Sequence, residues 1–255
     1  RKMKKIYLAI LIALAPLAVS AQSVNVHLKD GTVIEYDASK FDYVDFTGVG
    51  PADTTITVGD KSYTIALHGA VDLGLSVKWA ARNVGATNPW VSGDYFAWGE
   101  TSPKTTYSDD TYTNATAIAD YAQENGGDIA GSEYDAATVN LGDGWQTPNE
   151  VQAQELLDNC TLTWVENTYD STILPANGMI VTGKNGNSIF LPAHGQMRNS
   201  SPFNDEYYAS FWLSNFIGDT DYGAQAQILQ LYSDGQWGSN GICSRGYPVR
   251  PVYTK

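Results

Sequence analysis

One segment of the chain carries a complete helix signature: GDGWQTPNEVQAQELLDNC, from Gly142 to Cys160. Thr147 is the predicted N-cap, Pro148 the first helical residue and Glu150 the acidic residue of a capping box. Apolar side chains then recur at helical spacing, at Ala153, Leu156, Leu157 and Cys160. This period predicts a helix with one buried face. Such a face must be covered by a sheet or by another helix.

Most other segments have the pattern of short strands separated by turns rich in Gly, Asn and Asp. Apolar and polar residues alternate in runs such as SVKWAARNV, DYFAWGE, ASFWLSN and AQILQLYS. Alternation with period two is typical of strands that are buried on one face. A second, weaker helical pattern lies within residues 114–125. Many short strands with few helices predict an α+β fold.

The N-terminal residues 1–21 have the three parts of a secretory signal peptide. Lys4 and Lys5 precede an apolar run, Ile6–Val19, and cleavage is expected after the small residue Ala21. The apolar run is short for a membrane span. We therefore expect export, with the mature protein secreted or at the cell surface and not inserted in the membrane.

The remaining chain is predicted to have three parts. Residues 22–47 have the pattern of a hairpin that turns in two residues at Asp30–Gly31. Residues 48–68 are predicted to be a linker and a second hairpin, with its turn at Gly59–Asp60. Residues 69–255 are predicted to form the main domain.

Net charge excludes one class of partner. The formal net charge at pH 7 is −13, whereas nucleic-acid binding requires clustered Lys and Arg. Anionic lipid surfaces likewise attract basic segments. We expect neither as a partner.

The two cysteines, Cys160 and Cys243, leave two alternatives open. An exported chain with an even number of cysteines can hold a disulfide. A cysteine on the apolar face of a helix can equally be a free, buried thiol.

Six blocks of sequence occur in a recognisable order: VDLGLSVKWAARNVGA (Val71–Ala86), GDYFAWGE (Gly93–Glu100), GDGWQTPNEVQAQELLDNCTLTWV (Gly142–Val165), GNSIFLPAHGQ (Gly186–Gln196), FWLSN (Phe211–Asn215) and GYPVRPV (Gly246–Val252). In this order and spacing they resemble the Fibrobacter succinogenes major paralogous domain family of secreted Bacteroidetes proteins. That family is related to the formylglycine-generating enzymes. The resemblance implies a C-type-lectin-like fold over residues 69–255, with irregular antiparallel sheets braced by one or two helices. The related enzymes use two reactive cysteines late in the domain, where this chain has Cys243 alone, so we expect no enzyme activity.

Residue types that carry catalysis or bind metals do not form a recognised motif. His27, His68 and His194 lack the spacing of a zinc site. Asp219 and Asp221 alternate as calcium ligands do, but a solvated acidic turn explains this spacing better. We therefore expect no catalytic residue, no metal site and no cofactor, with calcium left as a weak alternative.

The predicted ligand-binding residues are aromatic and polar side chains in C-terminal segments interpreted as loops. Tyr and Trp provide rigid contact surface, and small polar residues provide adaptable hydrogen bonds. The predicted set is Tyr207, Tyr208, Asp219, Asp221, Tyr222, Asp234, Gln236, Trp237 and Asn240. Large side chains in the strand-like runs are assigned to the core instead, namely Trp79, Trp98, Trp145 and Trp212, and Arg250 is assigned a structural role.

Together these features favour a secreted or cell-surface binding protein that recognises a glycan or protein ligand, for adhesion or capture. Two alternatives remain at this point. One is a diverged enzyme of the formylglycine-generating type. The other is a structural component of a surface assembly, in which the N-terminal hairpin docks by strand addition.

Overall fold

The computed structural model describes residues 23–27, 33–37, 53–166, 176–203 and 206–255. The chain divides into two compact units, Arg1–Phe46 and Thr47–Lys255. The predicted signal peptide, residues 1–21, lies outside the described residues.

Strands dominate the described part of the chain, which confirms the predicted α+β class. The strands are β1 (Ser23–His27), β2 (Val33–Asp37), β3 (Thr54–Val58), β4 (Lys61–Ile65), β5 (Ala70–Val71), β6 (Lys78–Ala80), β7 (Tyr95–Phe96), β8 (Trp145–Gln146), β9 (Thr161–Val165), β10 (Gly178–Thr182), β11 (Ser188–Pro192), β12 (Gln196–Arg198), β13 (Ser201–Phe203), β14 (Ala209–Thr220), β15 (Gly223–Tyr232), β16 (Gly235–Ile242), β17 (Tyr247–Pro248) and β18 (Val252–Tyr253). The described α-helices are α1 (Ala115–Glu124), α2 (Ala136–Leu141) and α3 (Glu150–Asn159), and a short 3-10 helix covers Asp109–Thr111. None of these helices is both long and apolar enough to cross a membrane.

The smaller unit contains a hairpin of β1 and β2. His27 pairs with Val33, and the strands run antiparallel. The predicted turn residues, Asp30 and Gly31, lie outside the described part of the chain.

The larger unit is built from small sheets. The largest has the strand order β3-β4-β11-β10-β9 and is antiparallel except between β4 and β11. A second has the order β5-β6-β18-β8, and a third has the order β14-β15-β16. The hairpin predicted at Gly59–Asp60 is β3–β4. Its pairing with β11 makes it part of the largest sheet, within the unit that begins at Thr47.

Helix α3 begins two residues later than predicted. Its N-cap is Asn149, whose side chain accepts a hydrogen bond from the backbone N–H of Gln152 at 3.0 Å, while Gln152 accepts one from the N–H of Asn149 at 2.9 Å. The prediction that Thr147 and Glu150 form the capping box is therefore wrong. Thr147 is buried, and its hydroxyl donates to the Asp135 carboxylate at 2.6 Å. Asn149 offers an equally good capping oxygen, so the helix starts there.

The buried face of α3 is confirmed. Ala153 and Leu156 are buried, and Leu157 and Cys160 pack against the same apolar cluster. That cluster also contains Phe211 of β14 and residues of β10, β11 and β15. Helix α3 therefore braces the sheet β14–β15–β16.

The first half of β14 separates two apolar clusters. Phe211 and Leu213 belong to the cluster under α3, whereas Trp212 belongs to a second cluster with Ile118 of α1. This part of β14 is thus buried on both faces, rather than on one as the alternating pattern predicts. Trp79, Trp98 and Trp212 are buried as predicted. The core assignment is wrong for Trp145, which is half-buried against the ring of Tyr253 at 5.1 Å.

Replacing Leu156 by alanine is expected to lower the free energy of unfolding by about 2–5 kcal/mol, because the lost side chain leaves a cavity between α3 and the sheet. Val151 of the same helix is 76% exposed, whereas Leu156 is 0% exposed. Val151→Ala is therefore the matched control and should change stability by less than about 0.5 kcal/mol. Chemical denaturation of both variants checks the assignment. Equal effects of the two changes would contradict it.

Candidate functional site

The predicted ligand-binding residues do not form one surface. Strand β15 joins two turns, and its ten residues span about 30 Å at the usual rise per residue. Asp219, Asp221 and Tyr222 lie at one end of this strand, whereas Tyr208 and Asp234 lie at the other. A small ligand cannot contact both ends at once.

Several of these residues also lie in strands rather than loops. Asp219 is in β14, while Gln236, Trp237 and Asn240 are in β16. The loop prediction is wrong for these four residues, because β16 pairs with β15 along its length despite its glycines. The side chains of Gln236 and Trp237 lie outside the described part of the structure.

At the tip of the β14–β15 hairpin, Tyr222 is 80% exposed. The Thr220 hydroxyl accepts a hydrogen bond from the backbone N–H of Tyr222 at 3.1 Å and donates to the carbonyl of Gly223 at 2.9 Å. Asp219 and Asp221 are exposed on either side of this hydroxyl. The tip is thus a tight, solvated turn with one projecting ring.

At the opposite end, Tyr207 is 71% exposed. Tyr208 is half-buried, and its ring meets the ring of Tyr232 edge-on at 5.9 Å. Asp234 lies exposed in the turn between β15 and β16. This end therefore carries several aromatic rings, whereas the hairpin tip carries one, that of Tyr222.

Between the two ends, a groove lies where α3 crosses the sheet. The groove has a volume of about 130 Å³, which suits a single ring or side chain better than a large ligand. Helix α3 lines it with Glu150, Ala153, Gln154 and Leu157. The sheet lines it with Leu213, Gln227, Ile228, Leu229, Ser239 and Asn240. Asn240 is the one predicted ligand-binding residue in this lining.

The groove owes its shape to an irregularity in β14. Pairing between β14 and β15 shifts register between Trp212 and Phe216, which is typical of a β-bulge. Within the bulge, the side-chain oxygen of Asn215 accepts a hydrogen bond from the backbone N–H of Glu150 at 2.7 Å. This contact fixes the first turn of α3 against the sheet, while Gln227 of β15 lies opposite the bulge.

Gln227 carries the most unusual feature of the groove. Its side-chain oxygen Oε1 is buried and accepts no hydrogen bond from the described residues. A buried polar atom without a partner costs about 1–3 kcal/mol of stability. Most such atoms in native proteins have a partner, so an unpaired one needs an explanation.

The lining of the groove combines amide and hydroxyl groups with an apolar floor. Glu150 is its one charged lining residue, and it is exposed at the start of α3. A neutral ligand with hydroxyl groups on an apolar frame matches this lining, because few precisely placed polar groups in an apolar pocket set orientation and specificity.

The set of ligand-binding residues predicted from the loops does not include Gln227, Gln154 or Glu150. A signal was present in GAQAQILQLY, where glutamines occupy alternate positions of an otherwise apolar strand. Alternate residues share one face, so Gln225, Gln227 and Leu229 face the same way. A glutamine on the face that Leu229 buries indicates either the edge of the apolar core or a site where a ligand makes polar contacts.

Both cysteines are free, which settles the alternatives left open by the sequence. Cys160 packs against the apolar cluster under α3, and Cys243 lies in the cluster on the other face of β14. Cys243 is 0% exposed, and burial raises the pKa of its thiol. The thiolate, which is the nucleophilic form, is therefore disfavoured.

His194 has a structural role. Its Nε2 lies 2.9 Å from the backbone carbonyl of Trp90. Among the described residues, no group of three or more His, Cys, Asp or Glu side chains is arranged to hold a metal ion.

Comparison of the chain with protein-family models, with curated proteins and with solved structures gives no match in any of the three. The resemblance drawn from the six sequence blocks therefore stays a prediction.

Proposed function

We propose that this chain is an exported, non-enzymatic binding protein of the cell surface, which captures a glycan or protein ligand in the groove between α3 and the sheet β14–β15–β16. The observation that carries the proposal is the buried, unpaired Oε1 of Gln227 in the groove lining. A ligand that entered the groove and drew the Gln227 side chain towards it would supply the missing donor, remove this cost and gain affinity. The proposed site replaces the loop site expected from the sequence.

The proposed architecture for residues 69–255 is a C-type-lectin-like domain. Packing of α3 against small antiparallel sheets supports this assignment.

The chemistry of Cys243 supports a non-enzymatic role. The related enzymes use an accessible pair of thiols, whereas Cys243 is sealed in the core and burial raises the pKa of its thiol. Tyr112, whose hydroxyl donates to the carbonyl of Trp98 at 2.8 Å, is also held protonated because burial raises its pKa. Neither group is suited to act as a nucleophile or a base near neutral pH.

Replacing Gln227 by leucine tests the proposal, because stability and binding should change in opposite directions. Leucine keeps the approximate volume and removes the unpaired oxygen, so the free energy of unfolding should rise by about 1 kcal/mol. Binding should weaken by about tenfold or more, equivalent to about 1.4 kcal/mol. A purely structural glutamine would not produce this opposition.

The binding measurement uses the full chain on glycan and protein arrays, with and without calcium, followed by titration of the strongest hit. The matched control is Gln230→Leu, three residues away on the same strand, where the side chain donates a hydrogen bond to the Ser210 hydroxyl at 3.1 Å and does not line the groove. The control should keep most of the affinity. Equal losses for both variants, or no array signal for the unmodified chain, would count against the groove.

A further inference from the structure

Two arginines lie side by side on a surface away from the groove. Met197 and Gly246 exchange both backbone hydrogen bonds, at 2.7 Å and 3.0 Å, in an antiparallel bridge. The next residue on one segment is Arg198, and the preceding residue on the other is Arg245. Residues at such positions lie opposite each other across the two segments, so the two arginines are neighbours on this surface.

This pairing is unfavourable unless an anion is present. Like charges directly opposite each other on paired segments are destabilising. No salt bridge joins either arginine to a carboxylate in the part of the chain that the structure describes. In addition, the Nε of Arg245 is buried and donates to no acceptor there. The site thus has two positive charges and one unpaired donor.

Neighbouring groups hold both guanidinium groups in place. Arg198 stacks on the ring of Phe203, with its guanidinium carbon 3.6 Å from the ring centre. Nη1 of Arg245 donates to the backbone carbonyl of Tyr107 at 3.4 Å. Both charges also act on the buried hydroxyl of Tyr247, where they oppose the burial that raises its pKa to about 12. Because the arginines are already positioned, little side-chain entropy remains to be lost on binding.

We propose that Arg198 and Arg245 form a subsite for the acidic group, a carboxylate or a sulfate ester, of a surface polysaccharide. Two adjacent guanidinium forks match the planar or tetrahedral oxygens of such a group and bind it with paired, charge-assisted hydrogen bonds. Ser200 follows Arg198 by two residues and Thr106 directly precedes Tyr107. The hydroxyls of Thr106 and Ser200 lie 3.0 Å apart and are suited to the neutral parts of a sugar. This proposal rests on the proposed function, because it specifies the class of ligand that the binding protein captures. The subsite shares no residue with the groove.

Overall charge favours a polysaccharide over other acidic polymers. The chain carries a formal net charge of −13, which repels densely charged polyanions at long range. Nucleic acids and acidic peptides carry a charge at nearly every unit. A glycan with acidic groups separated by neutral rings can present one group to the arginines while its neighbours stay uncharged.

The test is a titration of the full chain with a partially methyl-esterified oligogalacturonate, using the fully methyl-esterified oligomer as the uncharged control. The unmodified chain should bind only the first, and its affinity should fall as salt is added. Arg198→Ala and Arg245→Ala should each weaken binding by about tenfold or more. Lys61→Ala, which removes an exposed charge at the start of β4, should leave affinity unchanged.

Melting curves of the two arginine variants show whether they remain folded, and little change is expected because the removed charges repel each other. Arg198→Lys provides a second measurement: it retains the charge but loses the planar fork, so affinity should still fall. Unchanged binding in both alanine variants, or an equal loss in Lys61→Ala, overturns the proposal. Stronger binding of poly-L-glutamate than of the oligogalacturonate overturns the assignment to a polysaccharide.

Gln227→Leu separates this proposal from the groove. If oligogalacturonate binding is kept in Gln227→Leu and lost in Arg198→Ala, the arginine subsite is supported whatever the groove binds. If Gln227→Leu abolishes binding of a neutral array ligand while the unmodified chain does not bind oligogalacturonate, the subsite is refuted and the groove is supported.

Discussion

Replacing Arg250 by methionine is expected to lower the free energy of unfolding by about 3–5 kcal/mol. Arg250 is 0% exposed. Its guanidinium donates to Asn83 Oδ1 at 2.7 Å, to the carbonyl of Ala80 at 3.0 Å and to the carbonyl of Phe190 at 2.9 Å. Methionine has a side chain of similar length that can occupy the same buried space, but it leaves these three acceptors unpaired.

The role of Arg250 is to join separate parts of the larger unit. Ala80 ends β6, Phe190 lies in β11, and Arg250 itself precedes β18. Burial lowers the pKa of the guanidinium to about 9, so the side chain remains charged at neutral pH. Its neutral partners therefore compensate a full charge through hydrogen bonds, and the ring of Phe211 lies 5.9 Å from the guanidinium carbon. The predicted structural role of this residue is confirmed.

Lys78→Met is the matched control, because Lys78 is an exposed cation of β6. It should change stability by less than about 0.5 kcal/mol. Arg250→Lys should give an intermediate loss, since an ammonium cannot reach all three acceptors in the geometry of the fork. Guanidinium chloride denaturation of the full chain measures all three. An Arg250→Met variant as stable as Lys78→Met would show that the acceptors find other partners.

The sequence predicted the helices and hairpins whose formation depends on residues close together in the chain. Helices α1 and α3 and the β3–β4 hairpin follow from period and turn chemistry that lie within a few residues. The cap of α3 shows the limit. Thr147 and Asn149 are both good capping residues, and the choice between them was made by Asp135, which is twelve residues away from Thr147.

Strand β16 shows a second limit. Its sequence, GQWGSNGI, has the composition of a loop, and yet it pairs with β15 throughout. Gly241 has a tertiary reason to be glycine, because a Cβ there would lie 2.7 Å from the indole of Trp212. The glycine therefore reflects close packing onto an aromatic ring and not a flexible turn, which the sequence of β16 alone cannot reveal.

The groove and the arginine pair could not be predicted for a related reason. The groove lies beside a bulge in β14, opposite Gln227, and bulges arise from pairing with another strand. The arginine pair depends on a bridge between Met197 and Gly246, which are far apart in sequence. In each case the sequence shows which residues are present, but the tertiary fold decides which of them lie next to one another.

Replacing Asp135 by alanine is expected to destabilise the larger unit by about 4 kcal/mol or more, because a buried carboxylate accepts several hydrogen bonds at once. Its oxygens accept backbone N–H groups from Gly131 and Ala137, each at 2.9 Å, and from Thr147 at 3.0 Å. They also accept the hydroxyls of Thr138 at 2.9 Å and Thr147 at 2.6 Å. Alanine would leave all three amides without an acceptor.

Asp135 therefore connects the start of α2 to the segment that leads into α3, and its loss should be felt at both places. Hydrogen exchange provides the local measurement: the amides of Gly131, Ala137 and Thr147 should lose protection in Asp135→Ala. Asp110→Ala, which removes an exposed carboxylate, should leave their exchange unchanged. Thr147→Val removes one hydroxyl donor and keeps the side-chain shape, so it should cost only about 1–2 kcal/mol. A Thr147→Val variant as unstable as Asp135→Ala would show that the Thr147 hydroxyl, and not the shared carboxylate, holds the two segments together.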